Sequence, residues 1–262
     1  GGIDFPALAR EISDRHFGVG SDGLILILPS TEADFRMRMF NADGSEAEMC
    51  GNGIRCFARY VYDRGLTRER RIKVQTLAGI VVPELIVEGG AVRAVRVDMG
   101  RPRLRRSEVP MLGREVDRVV DERITASGKS FFATCLSMGN PHCVVFVEDL
   151  EEVQLEEWGP ALEAHPVFPN RTNVEFVQVL GPSEISVKVW ERGSGPTLAC
   201  GTGACASAVA AALKGVAGRQ VKVRLPGGDL LVEWADDDRV YLTGPCEEVF
   251  QGTYVPRGQG RR

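Results

Sequence analysis

Alternation of apolar and polar residues marks two strand-like runs, Phe35-Arg-Met-Arg-Met-Phe40 and Ile185-Ser-Val-Lys-Val-Trp190, each closing on an aromatic side chain. Each leads into a polar, glycine-bearing loop, Asn41-Ala-Asp-Gly-Ser45 and Glu191-Arg-Gly-Ser-Gly195. An apolar helical stretch follows in both places, Arg55–Gly65 and Cys205–Gly215, ended by glycine. Hairpin patterns come next, across Ile80–Met99 and Asp229–Thr243, finishing at Gly100-Arg-Pro and Gly244-Pro. Upstream, Ser21-Asp-Gly-Leu-Ile25 and Arg171-Thr-Asn-Val-Glu175 each open a strand. A shift of 150 residues brings the strands, loops and helices into register, so the chain reads as an internal repeat. It predicts an α/β (α+β) fold of two similar domains, residues 1–115 and 116–262, parted where Ser107–Asp121 loses its periodicity, with the C-terminal tail free to return to the first half.

Composition narrows the class. A chain of 262 residues, 44% hydrophobic and 26% charged, can bury a core in two modest domains. No apolar run approaches the roughly 20 residues of a membrane helix, and the reading is a cytoplasmic protein that binds no membrane. The net charge of −4 argues against a nucleic-acid partner, and the basic runs Arg68–Arg71 and Arg101–Arg106 lack interleaved aromatics and read as solvated surface. Seven cysteines in a chain this large read as reduced thiols. The pairs Cys50/Cys56 and Cys200/Cys205 do not have the spacing of zinc knuckles. On a helix the members of each pair diverge by about 240° and about 140°, so Cys56 and Cys205 read as small core residues.

The leading cysteines need a different account. Cys50-Gly-Asn-Gly53 and Cys200-Gly-Thr-Gly203 each place a thiol where a glycine-rich turn becomes a helix N-terminus. Free N–H groups and the helix dipole favour negative charge there, which predicts thiols whose pKa falls toward neutrality. The same N–H groups, at Gly51, Asn52, Gly201 and Thr202, can hold a carboxylate. Two such sites related by a repeat suit a pair of acid/base groups acting on opposite faces of one carbon, the requirement for racemisation or epimerisation. Two thiols flanking one carbon are also expected to come within disulfide reach, Cα atoms no more than about 7 Å apart, when substrate is absent.

Several motifs together resemble the diaminopimelate epimerase family: Asn41-Ala-Asp-Gly-Ser45 through Gly53, Met138-Gly-Asn-Pro-His142, Arg171-Thr-Asn-Val174, Glu191-Arg-Gly193 and Ala199-Cys-Gly-Thr-Gly-Ala204. The resemblance spans essentially the whole chain. It implies two pseudo-symmetric domains, each a mixed, mainly antiparallel sheet or barrel wrapped around a central helix. It implies cofactor-independent interconversion of LL- and meso-diaminopimelate, on the route to lysine and peptidoglycan, by a two-base thiol mechanism. Cys50 and Cys200 then match the catalytic thiols, and His142 and Glu191 the groups that tune them. Asn41, Asn140, Asn173, Glu191 and Arg192 match substrate-holding side chains, and Gly51-Asn52 and Gly201-Thr202 the cradle of the reacting carboxylate. The family is commonly dimeric, and Val249-Phe-Gln-Gly252 resembles its dimer segment, with Phe250 at the interface.

Other classes fit less well. A pyridoxal-phosphate racemase needs a Schiff-base lysine, yet Lys188 and Lys222 lie in alternating strands. A thiol redox or zinc protein would leave the glycines without a role, and no Cys-x-x-Cys occurs. A proline racemase or a phenazine-type isomerase remains the rival within the same fold. The repeat carries one more expectation. The loop and strand Ser137–Val147 has no counterpart within the first half, and by the same offset it would precede Gly1, where the family resemblance implies a short strand and a Gly-Asn loop.

Overall fold

The computed structural model describes residues 2–257. Two compact units divide the chain: one runs up to Val97 and resumes at Pro245, and the other is Asp98–Gly244. The first contains α1 (Phe5–Ser13), β1 (Gly23–Leu28), β2 (Phe35–Asn41), β3 (Glu46–Ala47), α2 (Gly51–Asp63), β4 (Val74–Thr76), β5 (Gly79–Val81), β6 (Glu84–Glu88) and β7 (Ala91–Asp98). Its sheet has the order β1-β2-β4-β5, with β3 on β2. Asp4 starts α1 by accepting from the Ala7 N–H at 3.0 Å, and Phe5 stacks on Phe40 at 6.1 Å between ring centres.

The second unit contains β8 (Val119–Ala126), β9 (Lys129–Ser137), β10 (Pro141–Val147), α3 (Leu155–Glu163), β11 (Asn173–Gly181), β12 (Glu184–Glu191), β13 (Gly195–Thr197), α4 (Gly201–Lys214), β14 (Gln220–Leu225), β15 (Gly228–Trp234) and β16 (Val240–Gly244). Its strands run in the order β16-β15-β14-β12-β11-β10-β9-β8, with β13 on β12. All neighbours are antiparallel except β10 with β11 and β12 with β14.

The register proves the repeat. In the first unit Leu24 pairs with Phe40, Ile25 with Met39, Leu26 with Arg38 and Ile27 with Met37. In the second, Val174 pairs with Trp190, Glu175 with Val189, Phe176 with Lys188 and Val177 with Val187, the same pairs at an offset of 150. The short strands agree too, Met39 opposite Ala47 and Val189 opposite Thr197. A one-residue slip would turn every side chain to the other face, so identical register means the same residues face each helix in both units.

The helices differ. From Gly203 to Ala211 every residue of α4 is buried, and the helix packs on strands β8 to β12 and β14 to β16 of its own unit. Only small residues let a sheet close round a helix on all sides, and Ala204, Ala206, Ala208, Ala210 and Ala211 provide them. In contrast α2 buries one stripe, Ile54, Phe57, Ala58 and Val61, and turns Asn52, Cys56 and Tyr60 outward. Cys56 is therefore exposed, not the core residue expected, whereas Cys205 is fully buried as expected. Both helices end at a glycine with positive φ, 67° at Gly65 and 70° at Gly215.

The expected boundary at 115/116 falls inside the second unit, because Ser107–Asp121 is irregular without being a linker. Val109 and Met111 are buried in that unit's core. Arg106, expected at the surface, is buried as well and donates to the Leu112 carbonyl at 3.0 Å and to Glu122 at 2.8 Å. Among the described residues no helix is long and apolar enough to cross a membrane.

Candidate active site

In each unit the thiol is the N-cap of the helix. Cys50 has extended backbone angles, φ −139° and ψ 121°, and its sulfur accepts from the Gly53 N–H at 3.4 Å. Cys200 repeats this with φ −125° and ψ 116°, accepting from Gly203 N–H at 3.3 Å. The capping bond takes the third N–H of each helix, and helix geometry leaves those of Gly51, Asn52, Gly201 and Thr202 pointing out of the end. Arg55 braces the first end by donating to the Gly51 carbonyl and to the Asn52 side chain, both at 3.0 Å.

Around Cys200 the second unit builds a chain of hydrogen bonds. Thr202 Oγ1 lies 3.4 Å from the sulfur and accepts from Asn140 Nδ2 at 3.3 Å. Asn140 Oδ1 lies 3.0 Å from His142 Nε2, and His142 Nδ1 lies 2.7 Å from Glu175 Oε1. His142 and Glu175 are both completely buried. A carboxylate only accepts, so the proton on Nδ1 points at Glu175 and the ring's orientation is set from behind. Glu175 Oε2 has no partner among the described residues.

Glu175 is the member of this site that the motifs did not single out. A signal existed, since it is the one charge in the buried run Asn173–Val177 at the head of β11. Its role is tied to Gly203, where an added Cβ would stand 2.7 Å from Glu175 Oε1. Only glycine lets the end of α4 come this close to the carboxylate.

Electrostatics at Cys200 run against the expectation of a lowered pKa. Burial pushes the thiol up to about 12, the Glu191 and Glu175 carboxylates add to the rise, and the bonds from Thr202 and Gly203 offset only part of it. The helix-end donors are present, but desolvation and two like charges win. Under the repeat, the positions of Glu175 and Glu191 correspond to Ile25 and Asn41, both uncharged. The two thiols share a backbone and differ in charge environment.

The remaining sequence-predicted residues are held in place by the backbone. Asn173 is buried, donates to the Pro141 carbonyl at 3.0 Å and accepts from the Arg192 N–H at 2.9 Å, tying the ends of β10, β11 and β12 together. Glu191 accepts from the Thr197 hydroxyl at 2.6 Å. Arg192 donates to the Asn170 carbonyl at 3.0 Å. In the first unit Asn41 donates to Ser45 Oγ at 3.0 Å within its own turn. Thus Asn140, His142, Glu191 and Thr202 gather round Cys200 within the second unit, with Asn173 and Arg192 beside them, while Cys50, Gly51 and Asn52 form the corresponding helix end of the first.

The model for diaminopimelate epimerase matches residues 2–105 and 134–249. A diaminopimelate epimerase of Pelotomaculum thermopropionicum is 59% identical over 254 residues, covering 97% of this chain and 90% of the relative. That of Methanococcus maripaludis is 54% identical over 246 residues, covering 94% and 88%. Solved structures share the fold at low identity. A phenazine biosynthesis protein of the PhzF family from Bacillus anthracis matches at 18% identity and a TM-score of 0.64, over 92% of this chain and 84% of its own. A probable proline racemase from Agrobacterium radiobacter matches at 17% identity and a TM-score of 0.65, over 92% and 78%. With the family model covering most of the chain and relatives above half identity along nearly all of it, this chain belongs to the diaminopimelate epimerase family.

Proposed function

We propose that this protein interconverts LL- and meso-diaminopimelate without a cofactor, in the cytoplasm, with Cys50 and Cys200 as its two acid–base groups. The observation that carries the reading is the repeated helix-capping thiol, the same backbone motif in two units of identical strand register. One thiolate removes the α-proton and the other thiol delivers a proton to the opposite face; their roles exchange for the reverse reaction. The N–H groups of Gly51-Asn52 and Gly201-Thr202 hold the reacting carboxylate, where helix-end dipoles favour the negative charge that builds up as the α-carbon loses its proton. Asn41, Asn140, Asn173, Glu191 and Arg192 hold the remainder of the amino acid, and His142 acts on Cys200 through Asn140 and Thr202. The test is LL-diaminopimelate with no added cofactor in deuterium oxide. Formation of the meso isomer carrying one solvent deuterium at the inverted carbon is the expected result, and no inversion under these conditions overturns the reading.

Within this reading Cys200 is the proton donor of the substrate-free protein, since burial and the two carboxylates keep its thiol protonated well above neutrality. The sign of a charge change follows. Replacing Glu191 by Gln removes a negative charge that disfavours the thiolate, so the Cys200 pKa falls. Burial still opposes ionisation, and the value stays above that of a free thiol. The pH midpoint for alkylation of Cys200, followed by peptide mass, is expected to move down in Glu191→Gln, and a midpoint that rises or stays fixed excludes Glu191 as a tuning group.

The protein also acts as a homodimer. Val249 is 89% exposed and Phe250 66% exposed in the single chain, a large apolar pair that the described residues leave mostly uncovered. Sedimentation at micromolar concentration is expected to give twice the chain mass of 28.6 kDa, and Phe250→Asp is expected to shift it toward the monomer.

A further inference from the structure

We propose that Cys56 and Cys246 form a redox-active dithiol, separate from the catalytic thiols, which a hydroperoxide converts to a disulfide joining α2 to the segment that follows β16. Both residues lie in the first unit. They line one cavity of about 240 Å³ with Arg59, Tyr60, Glu247 and Phe250. Cys246 is buried, and its thiol donates to the carbonyl of Arg55, the residue before Cys56, at 3.5 Å. The Cys246 thiol has one proton, and when Cys56 is ionised that proton turns from the carbonyl to the Cys56 sulfur. Cys56 is the exposed member. It sits six residues beyond the Cys50 cap, about 240° round the helix, so it faces away from that thiol.

The surroundings give the pair unequal roles. The hydrogen bond from Cys246 brings Cys56 down to about 6, and the guanidinium groups of Arg55 and Arg59 lower it further against the effect of burial. The same pairing pushes Cys246 up, with burial adding to it. A low-pKa, accessible thiol beside a protonated partner is the arrangement of an attacking and a resolving cysteine. The chemistry balances with a hydroperoxide as oxidant. The Cys56 thiolate attacks one peroxide oxygen, the O–O bond breaks, an alkoxide or hydroxide leaves and takes a proton from solvent to become alcohol or water, and Cys56 becomes a sulfenic acid. Cys246 then attacks that sulfur, the S–S bond forms, hydroxide leaves, and the Cys246 proton turns it into water. Two thiols are oxidised and one peroxide is reduced. The segment is held near α2 without the disulfide, because Arg55 donates to the Pro245 carbonyl at 3.4 Å, Arg59 bonds the Cys246 carbonyl, and Arg64 pairs with Glu248 at 2.7 Å.

Equimolar hydrogen peroxide added to the reduced full-length protein, followed by alkylation and peptide mapping without reductant, tests this. A Cys56–Cys246 linked peptide that dithiothreitol removes is expected. In Cys246→Ala the link is absent, a dimedone adduct accumulates on Cys56, and the pH midpoint for Cys56 alkylation rises from near 6 because its hydrogen-bond donor is gone. At pH 6 the wild-type thiol is about half ionised against about 0.3% for a free cysteine, which the lower nucleophilicity of an acidic thiol reduces to roughly tenfold faster alkylation. Cys56 remaining unlinked while other cysteines pair, or alkylating with a midpoint above pH 8 in the wild type, overturns the proposal. Both outcomes are read on the wild-type protein and do not depend on how the variant folds.

Discussion

Replacing either capping thiol by serine is expected to end epimerisation while leaving proton exchange at the α-carbon partly alive. Cys50→Ser and Cys200→Ser keep the helix cap, since a hydroxyl accepts from Gly53 or Gly203 at least as well as a thiol does. What they lose is the thiol itself, and a serine hydroxyl is far too weak an acid to take its place. General acid–base catalysis is worth about 10²–10⁴-fold per group, so inversion is expected to fall by roughly a thousandfold or more in each single variant. A single remaining thiol can still take the α-proton and return a solvent proton to the same face. With Cys200→Ser in deuterium oxide, whichever of LL- and meso-diaminopimelate presents its α-proton to Cys50 is therefore expected to gain label without changing configuration, read by mass and by chiral chromatography. Inversion at close to the wild-type rate in either variant removes that thiol from the two-base scheme. Loss of inversion with the far-ultraviolet spectrum and urea midpoint unchanged separates chemistry from folding.

Much of this organisation was legible in the sequence because the repeat is carried by backbone-determining features. Alternation in Phe35–Phe40 and Ile185–Trp190 is set by one buried face, and the glycines at 65 and 215 by helix termination, so the 150-residue offset survives into the strand register. The cysteines were legible for the same reason, each standing before a glycine at a helix start. Less legible were features that depend on what surrounds an element. The pattern of α2 and α4 gave a buried helix in both halves, yet only α4 is enclosed, and Cys56 faces out. Loss of periodicity at Ser107–Asp121 resembled a linker because irregular backbone packs without a period, as Arg106, Val109 and Met111 do here. The pKa at Cys200 could not be read from a helix N-terminus alone, since its direction is decided by burial and by carboxylates brought from β11 and β12.

The asymmetry between the two helix ends predicts that equivalent glycines tolerate alanine unequally. At Gly53 an added Cβ would meet Ile25 Cδ1 at 2.9 Å, the far end of a flexible, half-buried side chain on β1. That methyl can turn aside, and alanine's better helix propensity recovers up to about 1 kcal/mol. At Gly203 the Cβ would meet Glu175 Oε1 at 2.7 Å, with Cys200 Cβ and Sγ at 3.3 and 3.4 Å on the other side. Glu175 is completely buried and held by His142 at 2.7 Å, so it cannot retreat without breaking that bond. Gly203→Ala is therefore expected to cost about 1–3 kcal/mol, the range of an overpacked core, and to lower epimerase activity by displacing Cys200. Gly53→Ala is expected to stay within about 1 kcal/mol of wild type by urea unfolding. The cause can be isolated, because Glu175→Ala removes the atom in the way. Gly203→Ala made in that background is expected to cost less than it does alone, a non-additivity of the kind expected for residues in contact. Equal costs for the two glycines, or strict additivity of Gly203→Ala with Glu175→Ala, would mean that α4 shifts as a body and that the carboxylate does not determine how close the helix end can come.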